Sequence, residues 1–127
     1  MSTNRSYRIL VVDDDSRHLQ TTREILELEG YQVTVRDTPF GTTEVVSAER
    51  PDLVLLDVNM PALSGERLCT LVRGNASVGR TVPILFYSSN DEDSLRQAVQ
   101  RFGADGYVCK GDLPGLRRKV EQIVRRR

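Results

Sequence analysis

The feature that most constrains the fold is a regular alternation of short apolar runs with amphipathic segments. The runs are rich in Val, Ile, Leu and aromatic residues, which favour strands, and the segments between them have helical periodicity. Strands that alternate with helices predict an α/β fold with a parallel sheet, right-handed crossovers and helices on both faces. The predicted strands are 8–13, 31–35, 52–57, 82–87 and 105–109, and the predicted helices are 16–29, 39–49, 64–74, 91–102 and 113–126.

Capping residues support several of the predicted helix ends. Thr38 followed by Pro39 predicts an N-cap with proline at the first position of the second helix. Asn90 is expected to cap the fourth helix, and Gly103 is expected to end it. Asp112 is expected to cap the fifth helix.

Size and composition predict one domain spanning residues 1–127. Basic and acidic residues balance at 18 each, so no overall field favours nucleic acid or a membrane surface. The two cysteines form no CxxC pair, which argues against a zinc pattern and fits a reducing compartment. The sequence has no membrane-length apolar run and begins with a polar stretch, so a cytoplasmic location is expected.

Polar side chains follow the apolar runs at the points where the strands end. Because the carboxyl ends of parallel strands meet at one edge of an α/β sheet, residues far apart in sequence are expected to share a pocket there. These residues are Asp13, Asp14, Asp15, Asp57, Ser88, Ser89 and Lys110.

The chemistry of such a pocket indicates phosphoryl transfer. Crowded carboxylates repel and need a counter-charge, and Mg²⁺ prefers oxygen ligands of this kind. A lysine and a serine hydroxyl add a positive charge and a donor for phosphoryl oxygens. Asp57 stands alone at a strand end, so it is the best candidate for a nucleophile, while Asp13 and Asp14 are paired as metal ligands would be.

Four motifs make the chain resemble the receiver domain of two-component response regulators over essentially its whole length. They are ILVVDDD (9–15), LLDVNMPALSG (55–65), PILFYSS (83–89) and GADGYVCK (103–110). Each motif alone is only moderately specific, but their order and spacing on a (βα)₅ pattern are highly specific. The resemblance implies a flavodoxin-like, doubly wound sheet with strand order 2-1-3-4-5.

The resemblance also implies roles for individual residues. It makes Asp57 the phosphoacceptor, with Asp13, Asp14, Asp57 and the backbone carbonyl of Asn59 around Mg²⁺ or Mn²⁺. Ser88 and Lys110 would contact the phosphoryl oxygens.

The resemblance places Tyr107 at an aromatic switch position, where a switch role and an ordinary structural role are equally expected. The changing surface would comprise segments 91–102, 105–109 and 113–126. The implied phosphodonor is a sensor histidine kinase, a phosphorelay protein or a small phosphodonor. The downstream protein partner is not identified, a nucleic-acid role is disfavoured, and either a monomer or a phosphorylation-dependent dimer is expected. The chain would catalyse only its own phosphorylation and dephosphorylation.

Two departures keep other interpretations open. Gly111 follows Lys110 where the family commonly has proline, which is the sequence support for a receiver-like interaction domain that works without phosphorylation. The side chains of Asn59 and Asn90 lie where the family tunes the lifetime of the acyl phosphate. A phosphatase with an aspartyl nucleophile is a third possibility, but Asn59 stands where such enzymes commonly carry the acid/base carboxylate.

Overall fold

A computed structural model describes residues 6–75 and 78–126. Within those residues, five strands alternate with five helices, and one short 3₁₀ turn, Val78–Arg80, precedes the fourth strand. The strands are β1 (Arg8–Val12), β2 (Gln32–Arg36), β3 (Leu53–Asp57), β4 (Ile84–Ser88) and β5 (Gly106–Cys109). The helices are α1 (Ser16–Leu28), α2 (Thr42–Glu49), α3 (Gly65–Arg73), α4 (Glu92–Phe102) and α5 (Leu113–Val124). The predicted domain range also covers residues 1–5, 76, 77 and 127, which lie outside the described residues.

All strand pairs are parallel, and the sheet order is β2-β1-β3-β4-β5, which confirms the predicted fold class and topology. The register explains why the polar strand ends come together. Val12 lies beside Leu56, so the residues that follow them, Asp13 and Asp57, finish neighbouring strands side by side. Asp57 in turn lies beside Tyr87, the residue before Ser88.

The core lies on both faces of the sheet. On one face, β1, β3 and β4 pack against α2, α3 and α4 through residues that include Leu10, Leu56 and Phe86. On the other face, the alternate residues of the same strands pack against α1 and α5. Because successive strand residues point to opposite faces, a central strand covered on both sides must be apolar throughout, as β3 is before Asp57.

The predicted start of the second helix is wrong by three residues, since α2 begins at Thr42 and not at Pro39. The polar groups of this segment form a turn. Thr38 Oγ1 accepts a hydrogen bond from the Phe40 backbone N–H, and the Pro39 carbonyl accepts from both the amide and the hydroxyl of Thr42. Gly41 has a φ of 84°, a left-handed conformation that breaks the helical path and that glycine adopts without strain.

A side chain from β2 holds this turn in place. The Arg36 guanidinium donates to the Phe40 carbonyl, so that carbonyl is engaged outside any helix. The phenyl ring of Phe40 is left 59% exposed. The prediction that Thr38 and Pro39 cap the second helix is therefore wrong, because the segment forms a turn and Gly41 is the N-cap of α2.

The other predicted ends agree with the structure within two residues, with one different cap. Asp91, not Asn90, caps α4 by accepting from the Ser94 backbone N–H. Gly103 ends α4 with a φ of 79°, as predicted. Asp112 caps α5 by accepting from the Gly115 backbone N–H.

Arg73 ties together the edge of the sheet opposite the carboxylates. Its guanidinium donates to the backbone carbonyls of Gly79, Val82 and Gly103. It also forms a 2.9 Å ion pair with Asp105, whose carboxylate accepts from the first backbone N–H of β4. The Arg73 side chain thus joins the end of α3 to the segment before β4 and to the segment between α4 and β5.

We expect Arg73→Ala to lower the free energy of unfolding by about 2 kcal/mol, because it removes several charge-assisted hydrogen bonds from a largely covered side chain. Arg73→Lys should recover little, since an ammonium cannot span the same set of carbonyls. Urea unfolding measures both variants. The exposed Arg67 on the same helix is the control, and an equal loss in Arg67→Ala would contradict the assignment.

Candidate phosphoryl-transfer site

Three carboxylates meet at the carboxyl edge of the sheet. Each offers an oxygen, and these oxygens all lie within 4.8 Å of one another for Asp13, Asp14 and Asp57. Asp13 and Asp57 are almost fully buried, at 1% and 3% exposure, while Asp14 is exposed. The structure therefore brings together the three acids that the sequence placed at the ends of β1 and β3.

Lys110 brings an ammonium to the same place. Its Nζ lies 3.0 Å from Asp13 Oδ2 and 3.3 Å from Asp57 Oδ1. The backbone N–H of Lys110 donates to the Ser88 carbonyl at 2.8 Å, which fixes the end of β5 against the end of β4. Burial alone would lower the pKa of Lys110, but its contacts with Asp13 and Asp57 outweigh burial and raise that pKa above its usual value.

Asp57 holds its proton more tightly than an ordinary aspartate. Burial is the largest cause and the negative charge of Asp13 is the next, and together they raise the pKa of Asp57 from 3.8 to about 6. The Lys110 charge and the backbone N–H of Asn59, which donates to Asp57 Oδ1 at 3.2 Å, act in the opposite direction. At neutral pH the carboxylate is mostly ionised, although its surroundings oppose the charge.

The donor set suits a hard divalent cation. Among residues 6–75 and 78–126, three carboxylates face one ammonium, so these groups together carry excess negative charge at an edge where two of the acids have almost no contact with water. Oxygen ligands from one exposed and two buried carboxylates, with solvent on the Asp14 side, match what Mg²⁺ prefers. The residues present therefore fit a bound Mg²⁺.

Ser88 lies at the end of β4 with no exposed surface. Its Oγ accepts one hydrogen bond from the side-chain Nδ2 of Asn59 at 3.1 Å and another from the backbone N–H of Asn90 at 3.0 Å. Asn59 Nδ2 also donates to Asn90 Oδ1 at 2.9 Å. The two asparagines thus join the loop after β3 to the loop after β4 at the mouth of the carboxylate cluster.

Sequence reasoning assigned the Asn59 backbone carbonyl to the metal and placed the Asn59 and Asn90 side chains where the family tunes the acyl phosphate, but it did not predict the hydrogen bonds that join these side chains to Ser88. The spacing of the two asparagines from the strand ends could have indicated that they lie close together. Asn59 stands two residues after Asp57 and Asn90 two residues after Ser88, on adjacent parallel strands. Equal offsets beyond neighbouring strand ends predict that two side chains lie near each other.

Tyr107 lies on β5 away from the carboxylates, half-buried and packed against the core face that includes α4. Its hydroxyl accepts from Arg96 on α4 at 3.5 Å, and Arg96 also pairs with Asp93. This is one position of the ring, and a change between two positions stays a prediction.

Gly111 gives the loop after β5 a form that proline could not adopt. Its φ is 93°, in the left-handed region, whereas proline is held near −65°. No cis peptide bond occurs among residues 6–75 and 78–126. The departure from the family pattern therefore changes the turn but leaves Lys110 in contact with the carboxylates.

Asp15, the third acid of the DDD run, does not join the cluster. Its side chain caps α1 by accepting from the backbone N–H groups of Arg17 and His18. Its own backbone N–H donates to Asp13 Oδ1 at 2.9 Å, which helps to orient that carboxylate.

In the described part of the chain, no helix is long and apolar enough to cross a membrane.

Comparisons with known proteins agree with this geometry. The family model described as response regulator receiver domain matches residues 9–121. The response regulator MprA of Mycobacterium tuberculosis H37Rv is 36% identical over 122 residues, covering 95% of this chain and 52% of the relative. The chain therefore spans about half the length of the curated relatives it matches.

Solved structures share the fold closely. A putative response regulator from Chloroflexus aurantiacus is 26% identical with a TM-score of 0.87, covering 95% of this chain and 99% of its own. The receiver domain of the sensor histidine kinase PA1611 from Pseudomonas aeruginosa, solved with a magnesium ion in its active site cleft, is 24% identical with a TM-score of 0.84 and covers 94% and 98%. The chain belongs to the response regulator receiver domain family.

Proposed function

We propose that this chain is a phosphoaccepting signalling domain in which Asp57 receives a phosphoryl group from a phosphohistidine while Mg²⁺ is bound. The observation that carries the proposal is the contact of a buried carboxylate with both a second acid and an ammonium at the open edge of the sheet. A structural ion pair needs one acid for one lysine. A surplus of acids is expected where a cation and an anionic group are to be held together.

The metal would be held by Asp13, Asp14 and Asp57, with the Asn59 backbone carbonyl as a further oxygen ligand. When bound, Mg²⁺ supplies positive charge that offsets the charge on the phosphoryl oxygens. The carboxylate set does not distinguish Mg²⁺ from Mn²⁺. The magnesium ion in the PA1611 receiver domain supports the choice of Mg²⁺.

In the transfer step, one Asp57 oxygen forms a bond to phosphorus as the bond from phosphorus to the donor imidazole nitrogen breaks. The leaving imidazole takes up a proton, and the phosphoryl group becomes an acyl phosphate on Asp57. Lys110 is placed to pair with a phosphoryl oxygen because its Nζ is already within 3.3 Å of Asp57 Oδ1. The Ser88 hydroxyl donates to another phosphoryl oxygen. The chain does this to itself and does not turn over an external substrate.

The phosphorylated site would alter the surface formed by α4, β5 and α5. Ser88 ends β4, and β4 pairs with β5, so a displacement of Ser88 reaches the strand that carries Tyr107. A groove of about 570 Å³ between α4 and α5 is lined by Tyr107 with Glu92, Arg118 and Lys119. A sensor histidine kinase or phosphorelay protein would supply the phosphoryl group, and a downstream protein or a second phosphorylated copy would occupy the altered surface.

Acetyl phosphate with Mg²⁺ tests the proposal by intact-protein mass spectrometry. The expected result is one added phosphate on the wild-type chain, none in excess EDTA, and none on Asp57→Asn. An undiminished adduct on Asp57→Asn would place the phosphate elsewhere and overturn the assignment. No adduct on the wild-type chain with Mg²⁺ present would remove the proposal itself.

A Mg²⁺ titration separates this proposal from a receiver-like interaction domain that works without phosphorylation, the alternative that Gly111 favours. We expect Mg²⁺ to shift amide NMR signals around Asp13 and Asp57. Asp14→Asn should weaken Mg²⁺ binding at least about tenfold with little change in stability, since it removes an exposed metal ligand. Wild-type signals that do not respond to Mg²⁺ would support the alternative.

A further inference from the structure

We propose that Tyr87 is a positioning residue whose ring face holds the Lys110 ammonium beside Asp57 for the transfer step. The Lys110 Nζ lies over the Tyr87 ring, 5.7 Å from its centroid. A cation within about 6 Å of an aromatic centroid is attracted to the partial negative charge of the ring face. This inference rests on the proposed function and gives a role to a side chain that the mechanism above does not use.

The alternation of side chains along the strands puts the Tyr87 ring and the Asp57 carboxylate on the same face of the sheet. Residues two apart in a strand share a face, so Asp57 points with Leu55 and Tyr87 points with Leu85. Leu55 and Leu85 are partners in the parallel pair of β3 and β4, and both belong to the core that packs against α1 and α5. Lys110 therefore finds the acceptor carboxylate and the aromatic ring on one side of the sheet.

Packing fixes the position of the Tyr87 ring. Only 2% of the residue is exposed, and the His18 ring of α1 meets it edge-on, with centroids 6.2 Å apart and an angle of 82° between the planes. A side chain packed in a core at this density has little room to move. Burial raises the pKa of the Tyr87 hydroxyl above its usual value, so the side chain stays neutral near pH 7. Tyr87 thus offers Lys110 a fixed and uncharged surface.

The Lys110 ammonium needs such a surface because its other restraints are weak or change during transfer. The backbone after it is Gly111, with a φ of 93°, and glycine restrains the chain less than proline does. The contact of Nζ with Asp57 Oδ1 at 3.3 Å involves the carboxylate that becomes an acyl phosphate. The attraction of the ring does not depend on that change. Charges held in place in advance lower the barrier because they do not have to reorganise, so Tyr87 acts on the phosphoryl group through Lys110.

A series of fluorinated phenylalanines at position 87 tests the inference. The rate of phosphorylation by acetyl phosphate is measured at saturating Mg²⁺, so that metal affinity does not contribute. Tyr87→Phe keeps the ring and should stay within about twofold of the wild-type rate. Fluorine withdraws electron density from the ring face with little change in size, so each added fluorine should slow the reaction further, to about fivefold for pentafluorophenylalanine. Rates that do not follow the electron density of the ring would overturn the inference.

Two controls separate positioning from a general effect of the fluorinated ring. In the Lys110→Met background the cation is gone, so pentafluorophenylalanine in place of phenylalanine at position 87 should change the rate less than about twofold. Phe102 on α4 is a matched ring, since the Arg101 guanidinium lies 5.4 Å from its centroid. Pentafluorophenylalanine at position 102 should leave the phosphorylation rate unchanged. Equal slowing in the Lys110→Met background, or similar slowing from position 102, would reject positioning.

A second readout does not depend on phosphorylation. Protons over an aromatic face give NMR signals shifted upfield, so the ε-methylene signals of Lys110 should move downfield in Tyr87→Leu. Those of Lys119, the other lysine in the sequence, should not move. Unmoved Lys110 signals would overturn the inference even if phosphorylation proceeds. A wild-type chain that takes up no phosphate would reject the proposed function and the positioning role with it, even where the Lys110 signals move.

Discussion

Lys110→Met is expected to slow phosphorylation of Asp57 at least about hundredfold, the size of effect seen when a preorganised electrostatic group is removed from a reacting centre. It is also expected to lower the free energy of unfolding by about 3 kcal/mol at pH 8, because Asp13 and Asp57 are left buried without their cation. Methionine keeps most of the side-chain length, so the change isolates the charge. Phosphorylation rates and urea unfolding measure the two effects.

The stability loss in Lys110→Met should depend on conditions in a way that packing damage would not. At pH 5 it should be smaller, because Asp57, with a pKa of about 6, is then mostly protonated. Mg²⁺ should restore part of the loss at pH 8 by replacing the missing positive charge. Arg117→Met, on the exposed side of α5, is the control and should be nearly neutral. A loss that is the same at pH 5 and pH 8 would contradict the electrostatic account.

Asp57→Asn is expected to stabilise the Mg²⁺-free protein by about 2–3 kcal/mol at pH 7.5. The pKa of Asp57 rises from 3.8 in an unfolded chain to about 6 in the fold. The folded protein therefore binds a proton more tightly, and its stability falls as the pH rises through this interval. Each pKa unit corresponds to about 1.4 kcal/mol. Asparagine carries no charge, so a protein with asparagine at position 57 does not lose this stability as the pH rises.

The pH dependence gives Asp57→Asn its test. The gain should be absent below about pH 4, grow between pH 4 and 6, and stay constant above that interval. Thermal or urea unfolding in EDTA across this range measures it. Asp37→Asn, which changes an exposed acid after β2, should give no such curve. A gain of equal size at pH 3.5 and pH 7.5, or a loss at pH 7.5, would contradict the proposed repulsion.

The strands and the meeting of the acids were predictable because they follow from local pattern and one topological rule. β1, β3 and β4 are nearly continuous apolar runs, which is the pattern typical of strands that are covered on both faces of a sheet. Parallel strands then place Asp13, Asp57 and Lys110 at one edge. The order of the strands came from family resemblance and not from the pattern, because alternation alone does not say which strands are neighbours.

The parts that sequence did not predict depend on contacts between distant residues. α2 starts late because Arg36, from β2, engages the Phe40 carbonyl, and no local pattern at residues 38–41 carries that information. Asp91, and not its neighbour Asn90, caps α4, and the side chain of Asn90 is hydrogen-bonded to Asn59 on another loop. In both places a residue suited to a local role was used in a tertiary contact.

The most direct test of the central claim is to locate the phosphoryl group. After incubation with acetyl phosphate and Mg²⁺, borohydride reduces an acyl phosphate to the alcohol, which converts a phosphorylated aspartate to homoserine. Peptide mass mapping should then find homoserine in place of Asp57 and unchanged aspartate at positions 13 and 14. Homoserine at either of those positions, or a phosphate that resists reduction and maps to Ser88, would contradict the assignment of Asp57 as the acceptor.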